Sequence, residues 1–116
     1  MRVRCTKTQG DDGWLPQITL GAEYEVLSIE CDSYRLIGDC GEPSLFEPQF
    51  FSITDPMRPE SWIPPFIDED EEYCGPPEFE RSGYWDEFYD GNEDAVALFW
   101  RYINRHINVT EQRYKK

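Results

Sequence analysis

The sequence predicts an α+β domain: a small, strongly bent antiparallel β-barrel, an aromatic-rich acidic segment, and a C-terminal α-helix packed on the barrel. Three observations carry this reading. Short apolar runs separated by tight-turn residues fill the first fifty or so positions, as in small antiparallel β folds. Apolar residues at helical spacing follow Asn92. Between them, Glu60 to Asp94 holds thirteen of the chain's 24 carboxylates and one of its eleven Lys and Arg residues.

With 116 residues the chain has the size of one domain. It divides into a β part (1–54), an extended acidic segment (55–81) and a helical C-terminal part (82–110). A disordered acidic chain would lack aromatic residues, and here they make up 16%. A folded body is therefore expected.

Met1 to Thr8 reads as a strand with Val3 and Cys5 on one face and Arg2, Arg4 and Thr6 on the other. Gln9 to Gly13 is a polar loop, and Pro16 keeps the Trp14-Leu15 stretch from being a central strand. Leu20 to Ile29 alternates, with Ala22, Tyr24, Val26 and Ser28 opposite Glu23, Glu25 and Leu27. Asp32-Ser33 turns the chain into a hairpin partner, Tyr34 to Gly38. Asp39 to Pro43 is the next turn, with Gly41 free to take a positive φ. Ser44-Leu45-Phe46 opens another strand, Pro48 bends the chain, and Phe50 to Ile53 closes the series. Cys5 and Cys31 read as strand core residues, Cys40 as a turn residue and Cys74 as a loop residue.

The proline pair in Trp62-Ile-Pro-Pro-Phe-Ile67 excludes a helix interior and predicts an extended segment laying its rings across the barrel. An acidic loop then runs to Pro76-Pro77. Ser82 is the expected cap of a short helix through Tyr84 to Tyr89, stopped by Gly91. Asn92 caps the main helix, with Glu93 and Asp94 in its first turn. Val96, Phe99, Trp100, Ile103 and Ile107 form its apolar face, while Arg101, Asn104 and Arg105 lie off it. Gln112 to Lys116 reads as a frayed tail.

The charge distribution points to function. A net charge of −13 repels phosphate backbones and anionic membranes, so neither nucleic acid nor membrane is an expected ligand. The expected partner is a basic protein, met by Asp68, Glu69, Asp70, Glu71, Glu72, Tyr73, Glu78, Tyr84, Trp85, Asp86, Glu87 and Tyr89. Carboxylates steer such an encounter and aromatic rings supply desolvated contact area. The plainer alternatives are a solvated charge run for Asp68 to Glu72, and packing of the short helix for Tyr84, Trp85 and Tyr89.

Catalytic chemistry is not expected. There is no phosphate-cradling glycine loop and no Gly-x-Ser-x-Gly elbow. The lone His106 supplies no triad. The acidic run lacks the ligand spacing of an EF-hand, and the four cysteines lack zinc spacing. No cofactor or metal is predicted. No apolar run follows Met1, so the expectation is a cytoplasmic chain with reduced thiols, where the Asn108-Val-Thr110 sequon has no role.

Leu20-Gly21-x-x-Tyr24-x-Val26 resembles the opening hairpin of SH3-like barrels. Leu36 to Pro43, Phe51 to Trp62 and Tyr84 to Gly91 resemble small bacterial proteins, some of them immunity proteins of polymorphic or contact-dependent growth-inhibition toxin systems. That resemblance implies a protein that binds and neutralises one cognate toxin in the cytoplasm, with a basic nuclease the toxin best matched to the acidic surface. Two other readings stand beside it: an SH3-like adaptor on the transcription or translation machinery, and an acidic mimic of nucleic acid.

Overall fold

The computed structural model describes residues 1–10, 13 and 16–107. Among the described residues, eight strands form two antiparallel sheets, with two α-helices on one side. The strands are β1 (Arg2–Cys5), β2 (Glu23–Glu25), β3 (Ser28–Glu30), β4 (Ser33–Ile37), β5 (Pro43–Phe46), β6 (Phe51–Asp55), β7 (Ile63–Asp68) and β8 (Glu71–Gly75). The helices are α1 (Tyr84–Tyr89) and α2 (Glu93–His106). One sheet has the order β2-β1-β6 and the other β5-β4-β3-β8-β7. The α+β class is as expected, but among the described residues the two sheets do not close into a barrel. The readings for Asp11, Asp12, Trp14, Leu15, the Asn108 sequon and the tail lie outside the described residues.

The run read as one strand from Leu20 to Ile29 is two. β2 pairs with β1 and β3 with β4, so the chain leaves one sheet and joins the other at Val26-Leu27. The Val26 N–H donates to Met1 and the Leu27 N–H to Arg35, each at the margin of a different sheet. Alternation therefore fails at Leu27. It was expected to face outward with the glutamates, but it is buried in the second of two cores.

The first core joins Val3, Cys5, Tyr24, Val26, Ile29, Leu36, Phe46, Phe50, Trp62 and Cys74. The second joins Leu27, Ile37, Phe79, Tyr84, Phe88, Ala95, Phe99, Trp100 and Ile103. Consecutive residues of β4 serve both, Leu36 the first and Ile37 the second. The five-stranded sheet is thus the middle layer, and burial on both faces replaces the half-buried alternation of a surface strand.

Three cysteine and loop assignments are corrected. Cys31 is exposed and sits in the β3–β4 turn, where Cys31 (φ 52°) and Asp32 (φ 62°) both take positive φ. That is the pattern of a two-residue type I′ hairpin. Cys74 lies buried in β8 opposite Ile29 rather than in a loop. The acidic stretch is a second such hairpin, β7–β8, turning through Glu69 (φ 51°) and Asp70 (φ 66°). Its proline pair sits at an irregular register on an edge strand, where a missing N–H breaks no ladder bond. Gly75 lets β8 lie close to β3, since a Cβ there would stand 2.6 Å from that of Ser28.

The helices largely follow expectation. Asn92 Oδ1 accepts the Ala95 N–H at 3.0 Å, and Glu93 and Asp94 occupy the first turn. Ala95, Phe99, Trp100, Tyr102 and Ile103 are buried along α2. Gly91 (φ 82°) ends α1, its N–H bonding to Phe88 and that of Asn92 to Glu87. Ser82 is not the cap of α1. Gly83 (φ 79°) takes that place, with no side-chain hydrogen bond. Among the described residues no helix is long and apolar enough to cross a membrane.

Candidate functional site

The β7–β8 hairpin and the start of α1 face one another across an open groove of about 470 Å³. Strand periodicity selects which hairpin residues reach it. Phe66 and Asp68 of β7 and Tyr73 of β8 line it, while Ile67 and Glu72, opposite each other in the ladder, belong to the other face. Phe66 and Tyr73 are cross-strand partners whose rings stack, with centroids 5.4 Å apart and planes 12° from parallel. From the helix side come Trp85 and Asp86, from the preceding turn Glu80 and Arg81, and from the end of β3 Glu30.

Among the described residues, four carboxylates therefore converge on the groove, and Arg81 is the one base lining it. Arg81 pairs with Glu87 and lies over the Tyr84 ring at 5.4 Å. Glu80 holds its proton more tightly than an ordinary glutamate, because burial disfavours its charge and Glu30 adds repulsion.

The groove wall is braced by Arg35, a buried residue of β4. Its Nε and Nη2 donate to the two carboxylate oxygens of Glu30 at 2.7 and 3.0 Å, and its Nη1 donates to the Tyr89 hydroxyl at 3.0 Å. Its guanidinium carbon lies 3.9 Å from the Trp85 ring centroid. The Tyr89 hydroxyl in turn donates to the Pro43 carbonyl. One buried cation so joins β3, β4 and α1, with its bidentate and stacking capacity both in use. Sequence reasoning missed Arg35. The only available signal was a lone arginine between apolar strand residues.

The hairpin tip is electrostatically unfavourable in isolation. Asp68 and Glu71 are direct cross-strand partners, and Glu69 and Asp70 fill the turn between them. Like charges set opposite each other destabilise a ladder. Glu and Asp also replace the Asn or Gly preferred at such φ values.

The twelve expected site residues do not form one surface. Asp68, Tyr73, Trp85 and Asp86 share the groove, with Glu69, Asp70 and Glu71 at its hairpin end. Glu72 faces away, its carboxylate taking Arg58 at 3.3 and 3.4 Å and its N–H donating to Asp32 Oδ1 at 2.7 Å. Glu78 lies on a different face beside Arg101 and Arg105. Glu87 is engaged by Arg81. Tyr84 touches the groove but is only 1% exposed, and its hydroxyl donates to the Ala95 carbonyl at 2.7 Å. It is a core residue, not a surface anchor. Tyr89 shows half its surface, but its hydroxyl is committed to Arg35 and Pro43.

Tyr73 has one further partner, the thiol of Cys31 at 3.0 Å. That hydrogen bond, with burial second, pushes its pKa up to about 12. Among the described residues no group of three or more His, Cys, Asp or Glu side chains is arranged to hold a metal ion. Comparison with known proteins gives no match to a family model, a curated protein or a solved structure.

Proposed function

We propose that this chain is an immunity protein, a binding protein that neutralises a basic toxin domain, best matched by a nuclease, by engaging it through the groove between β7–β8 and α1. The observation that carries the proposal is the convergence of Asp68, Glu80 and Asp86, with the Arg35-held Glu30 behind them, on the same cleft as Phe66, Tyr73 and Trp85. Carboxylates on a low-dielectric aromatic wall focus field toward an approaching cation, and the rings give it a surface to desolvate against. The strained, self-repelling hairpin tip supports the reading, since local rules are most often broken where binding offsets the cost.

The SH3-like assignment of the opening hairpins belongs to the same proposal. The corner at Val26-Leu27, where one run of chain serves two sheets, supports it.

The test is co-expression with the C-terminal domain of the protein encoded beside this one, scored by rescue of growth and co-purification. Reversing Asp68, Asp70 and Glu71 to lysine should leave the fold intact and slow association at low salt by about 10–10³-fold. An unchanged association rate would remove the hairpin from the docking surface, and absence of rescue by the parental chain would remove the immunity reading.

A further inference from the structure

β6 is an outer strand of its sheet, and among the described residues no strand pairs with its far side. The other outer strands carry the usual protection against an incoming chain. β7 contains Pro64 and Pro65, β2 sets Glu23 and Glu25 on either side of Tyr24, and β5 opens on Pro43, whose carbonyl takes the Tyr89 hydroxyl. β6 reads Phe-Ser-Ile-Thr-Asp, with neither proline nor lysine, and its one register shift lies past Ile53, toward the charged Asp55, so Phe51 to Ile53 stays a regular edge. Ile53 lies opposite the fully buried Val3 yet is 51% exposed.

Backbone direction follows from the neighbouring hydrogen bonds. The Cys5 N–H donates to Ala22 on the β2 side and the Thr6 N–H to Phe50 on the β6 side. Successive residues of a strand turn their polar groups to opposite sides, so Arg4 turns toward β6 and its partner Ser52 toward β1. Phe51 and Ile53 then turn outward. The Phe51 N–H is already taken by the Pro48 carbonyl. The Phe51 C=O and both backbone groups of Ile53 remain for a new strand.

We propose that the β6 edge is a self-association surface, on which a second copy of this chain docks strand to antiparallel strand about a two-fold axis at Ser52. In that register the Ile53 N–H of each copy donates to the Phe51 C=O of the other. The Ile53 side chain packs beside the other copy's Phe51, a β-branched and aromatic pair of the kind that stabilises a ladder. The two Ser52 residues face each other, and no charged pair is opposed between Phe51 and Ile53. A strand that is its own complement in this way selects a second copy over a foreign strand.

Charge at this edge permits the same occupant. Two chains of net charge −13 repel, but the β2-β1-β6 sheet sets Arg2 and Arg4 against Glu23, Glu25 and Asp55. The acidic hairpin belongs to the other sheet. The pairing joins two three-stranded sheets into one and leaves the groove at β7–β8 outside the contact, so it stands apart from the immunity reading.

The test uses the full chain with exposed Cys31 and Cys40 changed to serine. Ser52→Cys added to this background should form a covalent dimer under mild oxidation, and Thr54→Cys, two residues on, should form markedly less. Sedimentation equilibrium of the unaltered chain should show a concentration-dependent monomer–dimer equilibrium. Ile53→Lys should weaken it by about tenfold or more, with circular dichroism and melting unchanged. A chain that stays monomeric throughout overturns the proposal, and so does a dimer indifferent to Ile53→Lys. Equal cross-linking of the two cysteine variants also overturns it, and that comparison still decides the matter if Ile53→Lys does not fold.

Discussion

The guanidinium of Arg35 lies 3.9 Å from the centroid of the Trp85 ring while two of its nitrogens hold the Glu30 carboxylate. The side chain of Arg35 is 7% exposed and that of Glu30 17%, so the pair is largely withdrawn from water. Removing one member of such a pair strands the other's charge. Arg35→Ala should therefore cost about 3–5 kcal/mol in denaturant unfolding. Arg35→Lys should recover only part of it, because an ammonium supplies neither the bidentate contact nor the flat stacking surface.

Trp100 is 9% exposed and packs with Phe99, their ring planes 89° apart. Trp100→Ala should cost about 3–5 kcal/mol through the cavity it leaves. Thermal melting checks this, and partner binding by the folded fraction should be unaffected.

Two cap variants separate the expected helix starts from the observed ones. Asn92→Ala removes the acceptor of the Ala95 N–H and should cost about 1 kcal/mol. Ser82→Ala removes no cap and should be within about 0.5 kcal/mol of neutral. Chemical unfolding of both variants in one buffer decides it.

Glu80 and Tyr84 give opposite ends of the pH profile. Burial, with repulsion from Glu30, raises the Glu80 pKa, so the folded state holds that proton more tightly than the unfolded chain. Its contribution to stability is lost as pH rises past the ordinary glutamate range. Glu80→Gln should thus raise the melting temperature at neutral pH, and the gain should vanish in acid. Burial pushes Tyr84 up to about 12 from its ordinary 10.0. The unfolded chain ionises first, so stability should fall as pH rises from 10 toward 12, and Tyr84→Phe should flatten that fall.

The hairpin tip offers a trade. Glu69→Asn with Asp70→Gly puts preferred residues at φ 51° and 66° and removes two charges from a like-charged tip. A gain of about 0.5–2 kcal/mol is expected. If the tip meets a basic partner, the same variant should associate more slowly, as measured by stopped-flow mixing at low salt.

The β1 alternation, the Gly41 turn, the α1 stop at Gly91 and the Asn92-capped α2 were legible because each depends on residues close in sequence. The second hairpin was not, because the proline pair and the acid run both resemble loop, and only pairing with β3 makes a strand of Cys74. The break at Val26-Leu27 was hidden by a pattern that alternates correctly until the chain changes sheets. Of the candidate site, the sequence showed the acids and rings but not their sorting. Ladder register turns Asp68 and Tyr73 toward the groove and Glu72 away, and no local pattern encodes the partners that draw Tyr84 inward.

Val26 and Leu27 are adjacent in the chain yet anchor different cores. A peptide unit that is a structural member of both leaves neither free to melt alone. Amides on β1 and on α2 should therefore exchange with deuterium through the same global opening. Cutting the backbone there, as a circular permutation or split reporter would, should uncouple the molecule more completely than a break at any surface turn.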